Sequence, residues 1–307
     1  MAPQLAWLGL GNMGRGMCKN LVERGNLTNP LIIYNRTTSR AQSLSTQLGH
    51  SSVANSPSEA ASKADIIFYC LGDDAAVLST LEQILSADDV SFQNKILVDC
   101  STVHPDTTAQ ENKLIKEKGG RFVACPVFGA PAMADLGQLI CVLAGEDIDA
   151  VDKVKAYCKG VMGRENIDFS GHEPSKATLL KIIGNTFIVS MVETLSEGHV
   201  IAEKSGLGVD ELHKFIEIMF PGPYTAYSNR LRSGDYYKRD EPLFAVDLAR
   251  KDARHAMALA EKSGCRMKNV ELADSYLKVV KETQGPKGDI AGIYGAKRLE
   301  SGLPFEN

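Results

Sequence analysis

Residues 4–14 read Gln-Leu-Ala-Trp-Leu-Gly-Leu-Gly-Asn-Met-Gly: an apolar run, three glycines spaced as GxGxxG, and the start of a helical pattern over Met13–Glu23. Strand, glycine turn and helix, in that order, are the parts of a phosphate cradle. Gly9 permits the tight turn, Gly11 lets a phosphate approach the backbone, and Gly14 lets the helix pack close to the strand. A pyrophosphate then rests at the helix N-terminus, where N–H groups and the helix dipole favour negative charge. Gly9, Leu10, Gly11, Asn12, Met13 and Gly14 are therefore read as a dinucleotide-binding loop, against the plainer reading of a tight turn. A second apolar run, Leu31–Tyr34, ends at Asn35-Arg36-Thr37. An acidic residue there would accept hydrogen bonds from a ribose 2′-hydroxyl. A neutral amide, a cation and a hydroxyl suit a 2′-phosphate instead. NADP is the expected cofactor, with NADPH preferred over NADH.

Working outward, strands are expected at Gln4–Leu8, Leu31–Tyr34, Asp65–Cys70, Lys95–Asp99, Arg121–Ala124 and Gln138–Leu143, with helical segments such as Asp73–Leu85 between them. Apolar strands alternating with helices predict an α/β, Rossmann-type doubly wound parallel sheet. From Glu173 the pattern changes. Pro174 suits a first helical turn and Ser175–Lys204 holds no proline, so one long interdomain helix of about 45 Å is predicted. Val209–Phe220, Phe244–Ser263 and Val270–Gln284 also read as helices, no strand is expected after residue 170, and Ser301–Asn307 reads as a loose end. The expected organisation is a dinucleotide-binding domain over 1–170 and an all-helical substrate and dimerisation domain over 171–307.

Composition narrows the function. With 307 residues, 44% of them hydrophobic and 23% charged, the chain can bury a large core and is not predominantly disordered. Its net charge of −4 gives no basic excess for nucleic acid or an anionic membrane surface. No apolar run approaches the ~18 residues that span a bilayer. The seven cysteines, at positions 18, 70, 100, 125, 141, 158 and 265, form no CxxC and read as buried free thiols of a reducing compartment. The N-terminus enters a strand almost at once, leaving no room for a presequence, so a cytoplasmic location is expected. The six histidines show no ligand spacing, and no metal is expected.

Further stretches carry chemistry. Asp99-Cys100-Ser101-Thr102-Val103-His104-Pro105 follows a strand at its C-terminal end, where open α/β sheets bind ligands. Pro126-Val127-Phe128-Gly129 runs on to Gly137-Gln138-Leu139. Lys181 and Asn185 lie four apart on the long helix and so project from one face. Phe244–Asp252 reads FAVDLARKD. Taken with GLGNMG and its following Met17, these stretches resemble, in order and over nearly the whole chain, the β-hydroxyacid dehydrogenase family with its DxSTxxP, PVSGG…GxL, KxxxN and late Lys-Asp motifs. That family contains 3-hydroxyisobutyrate dehydrogenase, tartronate-semialdehyde and glyoxylate/succinic-semialdehyde reductases, and 6-phosphogluconate dehydrogenase.

The resemblance implies an NADP(H)-dependent oxidoreductase that interconverts a small 3-hydroxy or 4-hydroxy acid and its aldehyde or keto acid. Lys181 is implied as general acid/base, since alcohol oxidation needs a base for the hydroxyl proton and the reverse needs the same group as an acid. Asn185 is implied to hold the substrate hydroxyl or carboxylate. Ser101 can donate to a carboxylate and Thr102 can touch the nicotinamide ribose or ring, although both also suit a turn or helix cap leading to Pro105. Leu71, Gly72 and Asp73 end a strand and are expected to line the cofactor. Lys251 matches a family lysine that closes over nicotinamide and substrate. Phe128 departs from the family, which has Ser there. Phe cannot donate to a carboxylate, leaving the N–H of Gly129 and admitting a bulkier or more apolar substrate. Ile188 and Val189 stand where the decarboxylating branch has Glu and Tyr, so redox without decarboxylation is expected. His104 reads as a satisfied loop histidine, and His199 lies about 27 Å along the helix from Lys181, too far to share its site. Arg230, Arg232, Lys238 and Arg239 among tyrosines read as a solvated loop or lid. An imine reductase on the same fold, and a catalytically silent dinucleotide-binding protein, remain as alternatives. The expected partners are a small carbonyl or hydroxy acid and a second copy, as homodimer or tetramer through the helical domain, with no nucleic acid and no membrane.

Overall fold

The computed structural model describes residues 2–87 and 90–307. Contacts divide the chain into two compact units, the first ending at Lys181 and the second beginning at Ile182. The first contains β1 (Leu5–Leu8), α1 (Asn12–Arg24), β2 (Leu31–Tyr34), α2 (Thr38–Leu48), β3 (Ser51–Val53), α3 (Pro57–Lys63), β4 (Ile66–Tyr69), α4 (Asp74–Leu85), β5 (Ile96–Asp99), α5 (Pro105–Glu117), β6 (Arg121–Ala124), β7 (Val127–Phe128), α6 (Pro131–Asp135), β8 (Leu139–Gly145), α7 (Ile148–Lys155) and β9 (Gly163–Ser170). The division falls inside α8 (Ser175–Lys204). The second unit continues with α9 (Val209–Met219), α10 (Pro223–Ser233), α11 (Asp235–Lys238), α12 (Val246–Lys262), α13 (Lys268–Gln284) and α14 (Ile293–Glu300).

The sheet runs β3-β2-β1-β4-β5-β6-β8-β7, with β9 on the other side of β8. Its first six strands pair in parallel, and strand order reverses between β1 and β4, the switch point where such sheets take a ligand. All four residues of β1, β4 and β5 are buried because helices cover both faces, which is why these strands read as solid apolar runs. Trp7 stacks on Phe68 at 5.7 Å across β1 and β4 and donates its indole N–H to the carbonyl of Gly9, tying the core to the glycine turn.

The alternation predicts a parallel sheet, and beyond β6 the sheet departs from it. β8 runs antiparallel to β6 and β7. The link 129–138 between β7 and β8 is shorter than the dozen or so residues a parallel crossover needs, so the chain turns back on itself. Three strands went unread: β3, the two-residue β7, and β9, whose Gly-Arg-Glu-Asn-Ile-Asp-Phe-Ser sequence is that of a half-exposed edge strand.

In the second unit, Val192, Leu195, Leu231, Tyr236, Ala273, Leu277 and Tyr294 form a buried core. The helix α8 has the predicted bounds. By length and composition it is apolar enough to cross a membrane, contrary to expectation, yet half of its most apolar window is buried inside the chain, as in a core helix. The predicted loop at 230–239 is a correction: it forms α10 and α11, with Pro223 in the first turn and Gly234 in the left-handed region (φ +72°) between them. Arg230 is mostly buried and bonded to Asp235 and Asp289 at 2.8 Å each, and Tyr236 is buried, so these two are internal framework, while Lys238 and Arg239 stay exposed at the end of α11. The C-terminal segment is likewise not loose. Phe305 is buried, its carbonyl accepts the Tyr236 hydroxyl at 2.5 Å, and Arg298 Nε bonds the carbonyl of Pro304 at 2.9 Å.

Candidate functional site

Each unit carries part of the expected machinery. In the first, Gly9 turns at φ +94°, and a Cβ there would stand 2.3 Å from the carbonyl oxygen of Cys70. Gly14 starts the helix so close to the turn that a Cβ would stand 2.1 Å from the carbonyl oxygen of Gly9. A Cβ on Gly11, the N-cap of α1, would meet no atom within 4 Å, and no side chain caps that helix. The turn thus holds an open approach at a thirteen-residue helix N-terminus, which fits a dinucleotide pyrophosphate. Met13 packs on the core behind it.

Asn35 sits at the end of β2, but its side chain serves the turn. Its Oδ1 accepts the Leu10 N–H at 3.0 Å and its Nδ2 donates to the carbonyl of Thr37 at 3.1 Å. Arg36 and Thr37 are exposed beside it, and the Thr37 hydroxyl makes no capping bond to α2. Asn35 is therefore the strut that shapes the turn, with Arg36 and Thr37 left to face a ligand.

At the C-terminal ends of β4 and β5, the Leu71 N–H donates to the Ser101 hydroxyl at 2.9 Å and the Ser101 N–H donates to Asp99 Oδ1 at 2.7 Å. Ser101 is 1% exposed, so its hydroxyl braces the two strand ends together. Thr102 is half-buried next to it, while Gly72 and Asp73 lead into α4, which the Asp73 carboxylate caps by accepting the Ala76 N–H at 2.8 Å. His104 caps α5, its Nδ1 accepting the Asp106 N–H at 3.2 Å, which satisfies the ring as expected. Below Ser101 lies a buried acid cluster that sequence reasoning missed. The Tyr69 hydroxyl donates to Glu111 at 2.5 Å, and burial followed by the charge of Asp99 pushes the Glu111 carboxyl well above its usual range. The partners are far apart in sequence, and no motif marks Glu111.

Lys181 closes this unit. It is 9% exposed, and its Nζ lies 4.5 Å from the centroid of the half-buried Phe128 ring, a cation–π contact. Gly129 follows at φ +145°, exposed. The residue that departs from the family pattern is thus the one against the expected acid/base.

In the second unit, one turn further along α8, Asn185 donates its Nδ2–H to Asp252 Oδ2 at 2.7 Å. The other carboxylate oxygen lies 3.4 Å from Lys251 Nζ. All three side chains are buried, and Asn185 and Asp252 line a small pocket with Val189, Phe244 and Ile290. Asp252 was not singled out from the sequence. Its signal was its place after Lys251 in FAVDLARKD.

Comparison with known proteins follows this division. The NAD binding domain of 6-phosphogluconate dehydrogenase matches residues 4–165, and the NAD-binding domain of NADP-dependent 3-hydroxyisobutyrate dehydrogenase matches residues 175–296. The chain is 38% identical to the NADH-dependent oxidoreductase ucdB of Aspergillus ustus over 95% of its length and 98% of that protein's. It is 30% identical to glyoxylate/succinic semialdehyde reductase 1 of Arabidopsis thaliana over 90% of its length and 91% of that protein's. The crystal structure of Mycobacterium tuberculosis 3-hydroxyisobutyrate dehydrogenase with L-serine has the same fold, with a TM-score of 0.79 at 20% identity, covering 97% of this chain and 100% of that one.

Proposed function

The chain belongs to the β-hydroxyacid dehydrogenase family, and we propose that it is an NADP(H)-dependent reductase of small aldehyde or keto acids, reversible as a 3-hydroxy or 4-hydroxy acid dehydrogenase. The observation that carries this reading is Lys181: a lysine withdrawn from solvent on α8, one helical turn before Asn185. When bound, the nicotinamide gives or takes the hydride. Lys181 supplies the proton to the substrate oxygen in reduction and removes it in oxidation. Asn185 orients that oxygen or the neighbouring carboxylate, its amide held by Asp252. Gly9–Gly14 hold the pyrophosphate, Arg36 and Thr37 take the 2′-phosphate, and Thr102 and Leu71 line the ribose. Ile188, an apolar side chain, supplies no second acid, so no decarboxylation is assigned.

A second reading, imine or apolar-carbonyl reduction, has one observation in its favour: the Phe128 ring occupies the face of the Lys181 ammonium and offers no donor to a carboxylate. We also propose a homodimer or tetramer. The described second unit exposes Phe187 (74%), Ile201 (67%), Phe215 (54%) and Ile218 (84%) on α8 and α9, apolar side chains that a second copy would cover. Light scattering showing a monomer at micromolar concentration refutes it.

The deciding assay follows NADPH and NADH oxidation separately, since one relative is named for NADH, on succinic semialdehyde, glyoxylate and a cyclic imine. Lys181→Ala is expected to abolish turnover while NADPH still binds, by fluorescence titration. A variant that keeps the full rate refutes the acid/base assignment.

A further inference from the structure

We propose that the first unit contains a closed structural site for one thiophilic cation of the zinc or copper(I) class, held by Cys125, Cys141 and Cys158 with Cys100 as the fourth ligand. Cys125 follows β6, Cys141 lies in β8 and Cys158 lies beyond α7, so only the fold brings them together. Their three Sγ atoms lie within 4.8 Å of one another, and the Cys125 and Cys158 sulfurs are 3.9 Å apart. Thiolates around one tetrahedral zinc, with Zn–S of about 2.3 Å, stand about 3.8 Å apart. A point equidistant from three sulfurs so spaced lies roughly 2.3 to 2.8 Å from each, a distance that shifts of a few tenths of an ångström convert into bonds.

The fourth ligand comes from the sheet register. Asp99 pairs with Ala124 across β5 and β6, so the next residues, Cys100 and Cys125, are neighbours at the strand ends. The Cys125 sulfur stands 3.9 Å from that of Cys158 inside the three-sulfur group, and Cys100, beside Cys125 in the sheet but outside that group, must move towards it to complete the set. All four side chains are at most 3% exposed. No imidazole or carboxylate belongs to the set, so it selects soft ions and disfavours magnesium and calcium. Four protein ligands leave no open position, which makes the site a fastener for β5, β6, β8 and the end of α7 and not a catalytic centre. Loading releases one proton from each thiol that becomes a thiolate ligand, with no change of oxidation state. The expectation of no metal rested on spacing along the sequence, which strands meeting side by side escape.

Burial means that the ion enters during folding, so the test uses the full chain purified from zinc-supplemented cells, and the same chain unfolded and refolded with zinc, with cobalt(II), with copper(I) under reductant, or with a chelator alone. Elemental mass spectrometry is expected to find about one equivalent of zinc or copper per chain, and the cobalt form to show thiolate-to-metal charge-transfer absorption. Cys141→Ser with Cys158→Ala should lose both signals. Should that pair fail to fold, the wild-type chain decides: a higher melting temperature refolded with metal than with chelator supports the site. Metal well below one equivalent in every preparation, with a featureless cobalt spectrum, overturns it. None of these readouts depends on turnover.

Discussion

Asp252→Ala tests whether the buried carboxylate positions the proposed substrate amide. Asp252 is 6% exposed, accepts the Asn185 Nδ2–H at 2.7 Å and lies 3.4 Å from the ammonium of Lys251, itself 7% exposed. A hydrogen bond to a charged acceptor contributes about 1.5–3 kcal/mol. Removing one partner of a buried ion pair costs about 3–5 kcal/mol, because the surviving charge stays desolvated. The two effects share the same carboxylate and do not add, so a loss of about 3–5 kcal/mol is expected. Asp252→Asn keeps the shape and an acceptor oxygen and should lose less. Urea unfolding followed by circular dichroism reads the stability. Activity separates positioning from mere support. If Asp252 orients Asn185, Asp252→Asn, folded at assay temperature, should lower kcat/KM by about 10²-fold, the scale of a 1 Å misplacement of a reacting group. Lys181→Ala, by contrast, should fold normally and lose turnover outright. An Asp252→Asn variant with kcat/KM within about twofold of wild type, or an Asp252→Ala variant destabilised by less than about 1 kcal/mol, refutes the reasoning.

Phe128→Ser removes a ring 4.5 Å from the Lys181 ammonium, worth about 0.5–2 kcal/mol, and supplies a hydroxyl; the ratio of kcat/KM for glyoxylate over an aryl aldehyde should rise by about tenfold, and an unchanged ratio removes Phe128 from the pocket. His199 is pushed down to about 4, by burial first and then by His213 and Arg232. Its lowered value means the folded state prefers the neutral ring, so the stability it contributes is present above about 6.5 and lost as pH falls towards 4, about 3 kcal/mol in all. His199→Gln should flatten that part of the stability profile measured by urea unfolding, and an identical acid limb in both proteins sinks the assignment. Glu111 runs the other way. Its raised carboxyl makes stability fall as pH climbs above the unfolded value, so Glu111→Gln should gain on wild type between pH 5 and 8 by chemical denaturation, and a loss at pH 8 refutes a protonated Glu111.

What the sequence showed and what it hid divide along a physical line. The glycine turn was legible because its constraints act within six residues: a positive φ at Gly9, an open approach at Gly11 and a backbone contact at Gly14 each exclude a side chain locally. The long helix was legible because thirty residues without proline, opened by Pro174, admit little else. β9 was hidden because an edge strand wears polar residues, and α10 because a proline, tyrosines and arginines look like a loop until Arg230 finds Asp289. Asn35 shows the finer limit. Its neutrality was read as tolerance for a phosphate, but its amide is occupied in holding Leu10 and Thr37.

The candidate site follows the same line, with one consequence for substrate choice. Spacing put Lys181 and Asn185 on one helix face and the family resemblance gave them their roles, whereas the groups against them, Phe128 and Asp252, lie at distant positions that only folding selects. Those partners differ in kind. Asp252 anchors the Asn185 amide by accepting its N–H, while Phe128 gives Lys181 an apolar face and no anion-binding group. Ser101, the other residue expected to meet a carboxylate, accepts the Leu71 N–H and is nearly sealed from solvent. Where Asn185 takes the reacting oxygen and not the carboxylate, a carboxylate bound near Lys181 must rely on the backbone N–H of Gly129 or on the Lys181 ammonium itself. In the second case the substrate would draw the ammonium off the Phe128 ring, and the acid would couple its own binding to the release of the proton donor. On that account Phe128→Leu, which removes the aromatic face but keeps the bulk, should lower KM for glyoxylate, since no cation–π contact of about 0.5–2 kcal/mol need then be broken. Steady-state kinetics on that one variant decide the matter: a KM that rises or stays fixed means that the ring does not restrain the lysine.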